Sequence, residues 1–190
     1  MSALMGAIAF ALAGAAAFLS LRWVERQAGR PSAVSPRTTA LLWLAWLAHG
    51  ALTLSAASQG LAEMPLAAFH SRLFGYAAMA VGGGVLIAAA VSTTSWQQFL
   101  GIEPRSIQVR GVYRFSRNPR LAGWGLYLLG AAFVNRSGIA LLLVLGYWVW
   151  LIAYLRLDER LLARNEGSSR WSSYRDSVPR FFGRTPRGRR

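Results

Sequence analysis

The 190-residue chain contains no cysteine and no lysine, and only 7 of its residues are acidic. Without cysteine, the chain can form no disulfide, no thiolate nucleophile and no cysteine metal site. The sequence also shows no metal-ligand spacing of His, Asp and Glu, no phosphate-binding P-loop and no nucleophile beside a base. These absences favour a group transfer in which a cofactor supplies the reactive atom, and they predict no metal.

Apolar residues make up 54% of the chain and gather into runs that are too long for a soluble core. A bilayer core of about 30 Å takes about 20 helical residues. The last two runs are short and flank residues 135–138, which predicts a tight C-terminal helical hairpin. The fold class is therefore all-α, a polytopic membrane protein with five transmembrane helices over residues 3–21, 39–58, 72–92, 121–134 and 138–155.

The net charge is +14, and all 21 basic residues are arginine. They cluster between the first and second runs, between the third and fourth, and after residue 155, whereas residues 59–71 contain none. Because basic residues accumulate in cytoplasmic loops, the N-terminus is predicted outside and the C-terminus in the cytoplasm, in a cell membrane of the bacterial type. In a soluble chain this charge would suggest nucleic acid, but beside apolar runs it predicts contact with membrane lipid and no nucleic-acid partner.

The first run could instead be a cleaved signal peptide, because it is rich in alanine. However, no basic residue precedes Arg22, so the positively charged start of a signal peptide is missing. We therefore predict a retained span, a single membrane domain over residues 1–183 and a basic tail at 184–190.

The segment 113–123 reads YRFSRNPRLAG and directly precedes the fourth run. Asn118 followed by Pro119 is typical of a helix start, with Asn as the cap and Pro in the first helical position. The free N–H groups of that helix end, together with Arg117 and Arg120, suit a carboxylate or a phosphate. The alternative is that these arginines only fix topology and bind lipid phosphate.

Asp158 and Glu159 stand together where the fifth run ends. They can pair with arginines along their own helix, which contributes a few tenths of a kcal/mol. Alternatively, the hairpin brings this helix end back beside the start of the fourth span, so that a carboxylate faces the arginines across a cleft.

Two features lie within the runs themselves. Gly82 and Gly84 in the third run let a neighbouring backbone or a flat ligand approach, and helix contact is the commoner use in membranes. His49 lies halfway along the second run, and an ionisable group inside a membrane is a functional candidate. A neutral His49 bonded to a carbonyl of the next helix is the alternative, since no second ligand lies three or four residues away.

Two separated motifs resemble the small integral-membrane methyltransferases that include isoprenylcysteine carboxyl methyltransferase and phosphatidylethanolamine N-methyltransferase. The family pattern G-x-Y-R-x-x-R-[HN]-P-x-Y-x-G is similar to GVYRFSRNPRLAG, and an acidic pair followed by a stretch ending in V-P-R comes after the hairpin. The likeness covers about residues 72–183. The matching positions are Gly111, Tyr113, Arg114, Arg117, Asn118, Pro119, Gly123, Asp158, Glu159, Trp171, Tyr174, Val178, Pro179 and Arg180.

The resemblance implies S-adenosylmethionine in a pocket at the cytoplasmic face and a lipophilic acceptor that arrives from the bilayer between helices. The implied cofactor-binding residues are Gly82, Gly84, Gly111, Tyr113, Arg117, Asn118, Pro119, Gly123, Asp158, Glu159 and Tyr174. The implied catalytic residues are Arg114, Asn118 and Glu159, and the candidates for substrate binding are Arg120, Arg180 and His49.

This chain departs from the family pattern at Asn118, where the family often has His, and at Leu121, where it usually has Tyr. An Asn side chain cannot act as a base near neutral pH. Two further hypotheses stay open: a non-catalytic lipid-binding scaffold, and an NADPH-dependent reductase of the sterol-reductase type. The acceptor is equally open among a prenylated thioether carboxylate, a phospholipid amine and a hydrophobic thiol or phenol.

Overall fold

The computed structural model describes residues 36–95, 98–99, 107–165 and 168–183, with isolated positions between 8 and 22. Most of the first predicted span (3–21) and the whole basic tail (184–190) lie outside the described residues. Within the described ranges the chain forms helices and no β-strand, so the all-α prediction is confirmed there. The helices are α1 (Pro36–Ser58), α2 (Ala68–Val91), α3 (Pro119–Val134), α4 (Gly138–Asn165) and α5 (Ser168–Ser177), with a 3-10 turn at Gly111–Arg114.

Three described helices are long and apolar enough to cross a membrane, over Thr39–Ser58, Ala68–Val91 and Gly138–Arg160. Helix α3 has 16 residues, about 24 Å at about 1.5 Å per residue, and is shorter than a bilayer core of about 30 Å. Helix α4 has 28 residues and continues well past the predicted end at 155. The predicted number of five spans therefore stays a prediction.

The predicted helical hairpin is confirmed, since α3 ends at Val134 and α4 begins at Gly138. Within the turn, Arg136 adopts the left-handed backbone conformation, with φ of 52°. The buried Ser137 hydroxyl lies 3.0 Å from the Ala56 carbonyl oxygen and accepts a hydrogen bond from the Ala140 N–H at 3.2 Å. These contacts tie the hairpin turn to the end of α1.

Three helices begin a few residues before the predicted apolar runs. Helix α1 begins at Pro36 and α3 at Pro119, where the runs begin at 39 and 121. Helix α2 begins at Ala68 rather than near residue 72, because the apolar Ala68 and Phe69 extend it into the predicted loop 59–71.

Helices α2 and α3 pack antiparallel through glycines, in the most extensive helix contact of the described structure. A Cβ atom on Gly82 would lie 2.7 Å from the Gly123 carbonyl oxygen, and a Cβ on Gly75 would lie 2.7 Å from that of Gly130. Real Cβ atoms essentially never approach other atoms so closely. Gly82 therefore serves helix contact, which is the more common role of small residues in membranes.

Helices α1 and α4 pack through aromatic rings. The Trp46 ring stacks on that of Trp150 with 4.0 Å between centroids, and Tyr147 and Tyr154 meet Trp46 edge-on. Helix α1 also contacts α3 but barely touches α2. The starts of α1 and α3 and the ends of α2 and α4 consequently lie together at one end of the bundle.

Candidate functional site

A cavity of about 450 Å³ lies at this end of the bundle, within the range of roughly 300 to 1,000 Å³ usual for small-molecule sites. Its wall has two chemically different parts, which we call the ionic wall and the apolar wall. The ionic wall contains Tyr113, Arg117, Arg120, Asp158, Glu159 and Tyr174. The apolar wall contains Leu42, Trp43, Trp46, Leu47, Leu121 and Trp124.

The two walls follow from position along the helices. Arg117 and Asn118 precede α3, whereas Trp124 lies five residues past its start at Pro119, about 7 Å further along. The side chain of Leu47 lines the cavity and is 55% exposed. The apolar part of the cavity is therefore accessible from outside the protein.

Glu159 lies between two arginines from different parts of the chain. Its carboxylate is 3.2 Å from Arg117 Nη1, and it accepts hydrogen bonds from Arg180 Nε at 3.0 Å and Nη2 at 2.5 Å. Only 14% of the Glu159 side chain and 10% of the Arg117 side chain are exposed. Of the two alternatives for the acidic pair, the structure therefore shows the one in which the hairpin brings a carboxylate, that of Glu159, back beside the start of α3.

Burial and this ion pair set the ionisation of the three groups around the carboxylate. Burial lowers the pKa of Arg117, and the Glu159 charge opposes that shift. The hydrogen bond to Glu159 raises the pKa of Arg180. Burial also raises the pKa of Tyr174 to about 12, so its phenol stays neutral at physiological pH, within 3.4 Å of the Tyr113 carbonyl oxygen.

Arg117 retains hydrogen-bonding capacity despite its ion pair. Its Nε and Nη1 atoms are buried and have no hydrogen-bond partner among the described residues. Its guanidinium carbon lies 5.5 Å from the centre of the Trp171 ring, a cation–π distance. Arg117 is therefore a cation that is fixed in place and still has donors to offer.

Asn118 occupies the cap position and Pro119 the first helical position of α3, as predicted. However, the Asn118 side chain makes no capping hydrogen bond. Its amide Nδ2 instead donates to the Arg180 carbonyl oxygen at 3.2 Å. The Asn118 side chain therefore holds the segment after α5 against the start of α3.

Further contacts hold residues 178–180, which we call the C-terminal strap, against residues 116–118. The Arg117 N–H donates to the Pro179 carbonyl at 2.9 Å, and the Ser116 hydroxyl donates to the Arg180 carbonyl at 3.3 Å. The strap thereby delivers Arg180 to Glu159 and closes one side of the site.

The structure brings eight of the predicted site residues into the cavity lining, and seven others lie outside it. The lining residues are Tyr113, Arg117, Asn118, Pro119, Arg120, Asp158, Glu159 and Tyr174. The others are Gly82, Gly84, Gly111, Gly123, Arg114, Arg180 and His49.

Local contacts explain most of these exclusions. Gly123 faces Gly82 in the α2–α3 contact, and Gly84 has nothing within 4 Å of its Cβ position. Gly111 has φ of 52° and packs on Ser92, so it serves the turn. None of these glycines reaches the cavity.

Arg114 and His49 lie outside the cavity lining for other reasons. Arg114 is exposed at the surface. The His49 Nε2–H donates to the Leu143 carbonyl of α4 at 3.1 Å, which is the alternative that the sequence left open. His49 therefore joins α1 to α4 and does not fit the substrate-binding role.

Sequence reasoning missed the aromatic lining and helix α5. Trp43, Trp46 and Leu47 recur at spacings of three and four after Thr39, a signal that would have placed them on one face. Arg120, predicted for substrate binding, lies within cation–π distance of the rings of both Trp43 and Phe99. Among the described residues, no group of three or more His, Cys, Asp or Glu side chains could hold a metal ion.

One of three comparisons with known proteins finds a match. The model of the phospholipid methyltransferase family matches residues 71–165, which are half of the chain and include the start of α3, the hairpin and the acidic pair. No curated protein and no solved structure matches the chain. Since this match covers half of the chain, the protein belongs to the phospholipid methyltransferase family, whose members are membrane methyltransferases that act on lipid.

Proposed function

We propose that the protein transfers a methyl group from S-adenosylmethionine to a lipophilic acceptor in the cavity described above. The observation that carries this proposal is that the ionic wall and the apolar wall line the same cavity. The ionic wall, built from the motif residues of the family, suits a small zwitterionic cofactor. The apolar wall, where Leu47 is 55% exposed, suits the hydrocarbon chains of a lipid.

The residues present fit this cofactor. The buried Nε donor of Arg117 has no hydrogen-bond partner among the described residues, and a carboxylate would supply one. Asp158 lines the same cavity and suits an ammonium group or ribose hydroxyls. Tyr113 and Tyr174 offer aromatic surface to an adenine. Glu159, held between two arginines, fixes the orientation of Arg117.

When bound, S-adenosylmethionine supplies a methyl group on a sulfonium, which passes to the acceptor nucleophile and leaves a neutral thioether. The chain then has to align the acceptor with that methyl group and exclude water. The apolar wall performs the second task through Trp43, Trp46 and Trp124. The Asn118 amide is not a base and is hydrogen-bonded to Arg180, and Glu159 is paired with two arginines, so neither side chain is proposed as a base.

The proposal includes five spans with the N-terminus outside and the C-terminus in the cytoplasm. The arginine distribution supports this orientation. In this arrangement the cavity, at the end of the bundle with Arg117 and Arg120, faces the cytoplasm, where S-adenosylmethionine is made.

Binding of S-adenosylmethionine to the purified protein tests the cofactor site. Arg117→Ala removes hydrogen bonds to a charged group, which contribute about 1.5 to 3 kcal/mol, so we expect affinity to fall by roughly 10-fold to 100-fold. Asp158→Asn, which keeps the shape of the side chain, should also weaken binding. Isothermal titration calorimetry measures both, and Arg156→Gln, an exposed arginine outside the cavity lining, is the control.

Melting temperatures of each variant separate loss of binding from loss of fold. Undiminished affinity in both Arg117→Ala and Glu159→Ala would refute this site. Binding of NADPH in place of S-adenosylmethionine would favour the reductase hypothesis. A lipid extract incubated with the protein and a deuterated-methyl cofactor, followed by mass spectrometry, identifies the acceptor, and cofactor binding without any labelled lipid would favour the non-catalytic scaffold.

A further inference from the structure

Arg120 differs from the other arginines at this end of the bundle in what surrounds it. Its guanidinium carbon lies 5.2 Å from the centre of the Trp43 ring on α1 and 5.3 Å from that of Phe99. Contacts of this kind are cation–π interactions, which hold the cation without using its N–H donors in hydrogen bonds. The two rings therefore fix the position of Arg120 and leave its donors available.

The other candidate arginines are either engaged or displaced. Arg117 and Arg180 share the Glu159 carboxylate. Arg114 is exposed and lies outside the cavity lining. By contrast, no described residue forms an ion pair or a hydrogen bond with the guanidinium of Arg120, although that side chain lines the cavity.

The position of Arg120 along α3 places its charge where the ionic wall meets the apolar wall. It follows Arg117 by three residues and directly precedes Leu121, the first α3 residue of the apolar wall. Trp43, which holds it, belongs to the apolar wall as well. Arg120 therefore marks the boundary between the ionic and apolar walls.

An amphiphile that fills such a cavity places its chains on the apolar wall and its headgroup at the boundary. A guanidinium offers planar, bidentate donors that match the oxygens of a phosphate or a carboxylate. A neutral headgroup at the same place would leave this charge without a counterion as the lipid excludes water.

We propose that Arg120 is the specificity-determining residue for the acceptor. It selects lipids whose headgroup contains an anionic group, either a phosphate or a carboxylate. This inference rests on the proposed function, because it concerns the acceptor of that reaction. Of the two arginines predicted for substrate binding, Arg120 and Arg180, it retains only Arg120. It also disfavours acceptors that carry no anion near their methyl-accepting atom, such as a simple hydrophobic thiol or phenol.

The test compares two lipids that differ only in the anion. Dioctanoyl phosphatidic acid and dioctanoylglycerol are titrated into the purified full-length protein by calorimetry in a nonionic detergent. We expect the wild type to bind the phosphatidic acid at least roughly 10-fold more tightly, in line with the loss of one charge-assisted contact. Arg120→Gln should remove this preference, Arg120→Lys should retain part of it, and the exposed-arginine control Arg156→Gln should keep all of it.

Inorganic phosphate is the third probe and separates a lipid headgroup from a free anion. Because it lacks chains for the apolar wall, it should displace the phosphatidic acid only at large excess. Displacement at equal concentration would assign Arg120 to a free phosphate and overturn the proposal. Equal affinity of the wild type for the two lipids, or an unchanged preference in Arg120→Gln, would overturn it too.

Titration of S-adenosylmethionine into the same samples separates the two proposals. If Arg120→Gln loses its preference for the anionic lipid and retains wild-type affinity for S-adenosylmethionine, Arg120 acts on the acceptor alone. If the wild type binds no S-adenosylmethionine, the proposed function fails, whereas the lipid comparison still reports on Arg120.

Discussion

Glu159→Gln is expected to destabilise the protein strongly, although it changes a single atom. The substitution keeps the shape of the side chain but removes the charge that Arg117 and Arg180 share. Removing one partner of a buried ion pair typically costs about 3 to 5 kcal/mol, because the remaining charge stays buried without compensation. Thermal unfolding of the purified protein in detergent, followed by tryptophan fluorescence, measures the loss.

A matched control lies at the opposite end of the bundle. Glu63 pairs with Arg136 across the hairpin turn, and 68% of the Glu63 side chain is exposed. Exposed ion pairs contribute about 0 to 1 kcal/mol, so Glu63→Gln should change the melting temperature little. Equal shifts in the two variants would contradict the role that we give to burial.

A double variant separates the buried charge from the lost contact. Arg117→Met in the Glu159→Gln background removes the cation that the first change leaves uncompensated, and it should recover part of the melting temperature. Binding of S-adenosylmethionine should not recover with it, because the donors of Arg117 are then absent. Recovery of both properties would show that Arg117 has no part in cofactor binding.

Gly82→Ala is expected to have the second large effect. The added Cβ would lie 2.6 Å from the Tyr127 backbone nitrogen and 2.7 Å from the Gly123 carbonyl oxygen. Backbone atoms cannot move aside as the end of a flexible side chain can, so α2 and α3 have to separate. Overpacking commonly costs about 1 to 3 kcal/mol, and we expect a lower melting temperature and a smaller monodisperse fraction on size-exclusion chromatography.

Gly83→Ala is the control for this substitution, because it makes the same chemical change at the next residue of α2. Nothing lies within 4 Å of the Cβ position on Gly83. Alanine is also the better helix former, by about 1 kcal/mol in soluble helices. The Gly83 variant should therefore be as stable as the wild type or slightly more so, and equal destabilisation of both variants would exclude the helix contact as the cause.

The helices and their turn were predictable because they depend on local chemistry. Long apolar runs predict the three helices that are long and apolar enough to cross a membrane, and the residues 135–138 predict the hairpin that the structure contains. The Asn118–Pro119 step predicts the start of α3 for an equally local reason. The proximity of Glu159 to Arg117 then follows from connectivity, since a tight hairpin brings the end of α4 back beside the start of α3.

The remaining features depend on contacts between distant segments. Helix α5 is polar in sequence, and it is held by packing of Trp171 and Tyr174 with Ile107 rather than by an apolar run of its own. The position of Arg120 depends on Trp43, which is far away in the sequence. A triplet of glycines likewise does not reveal which member faces a helix, and the structure assigns that contact to Gly82.

The paired glycines of α2 and α3 also restrict how the protein can move. Gly75 meets Gly130 and Gly82 meets Gly123, so a slide of one helix along the other would drive side chains against backbone at two points at once. We therefore expect the two helices to move as one rigid body. Any widening that admits a lipid is then expected between α1 and α2, which barely touch, so that α1 moves relative to the fixed pair of α2 and α3.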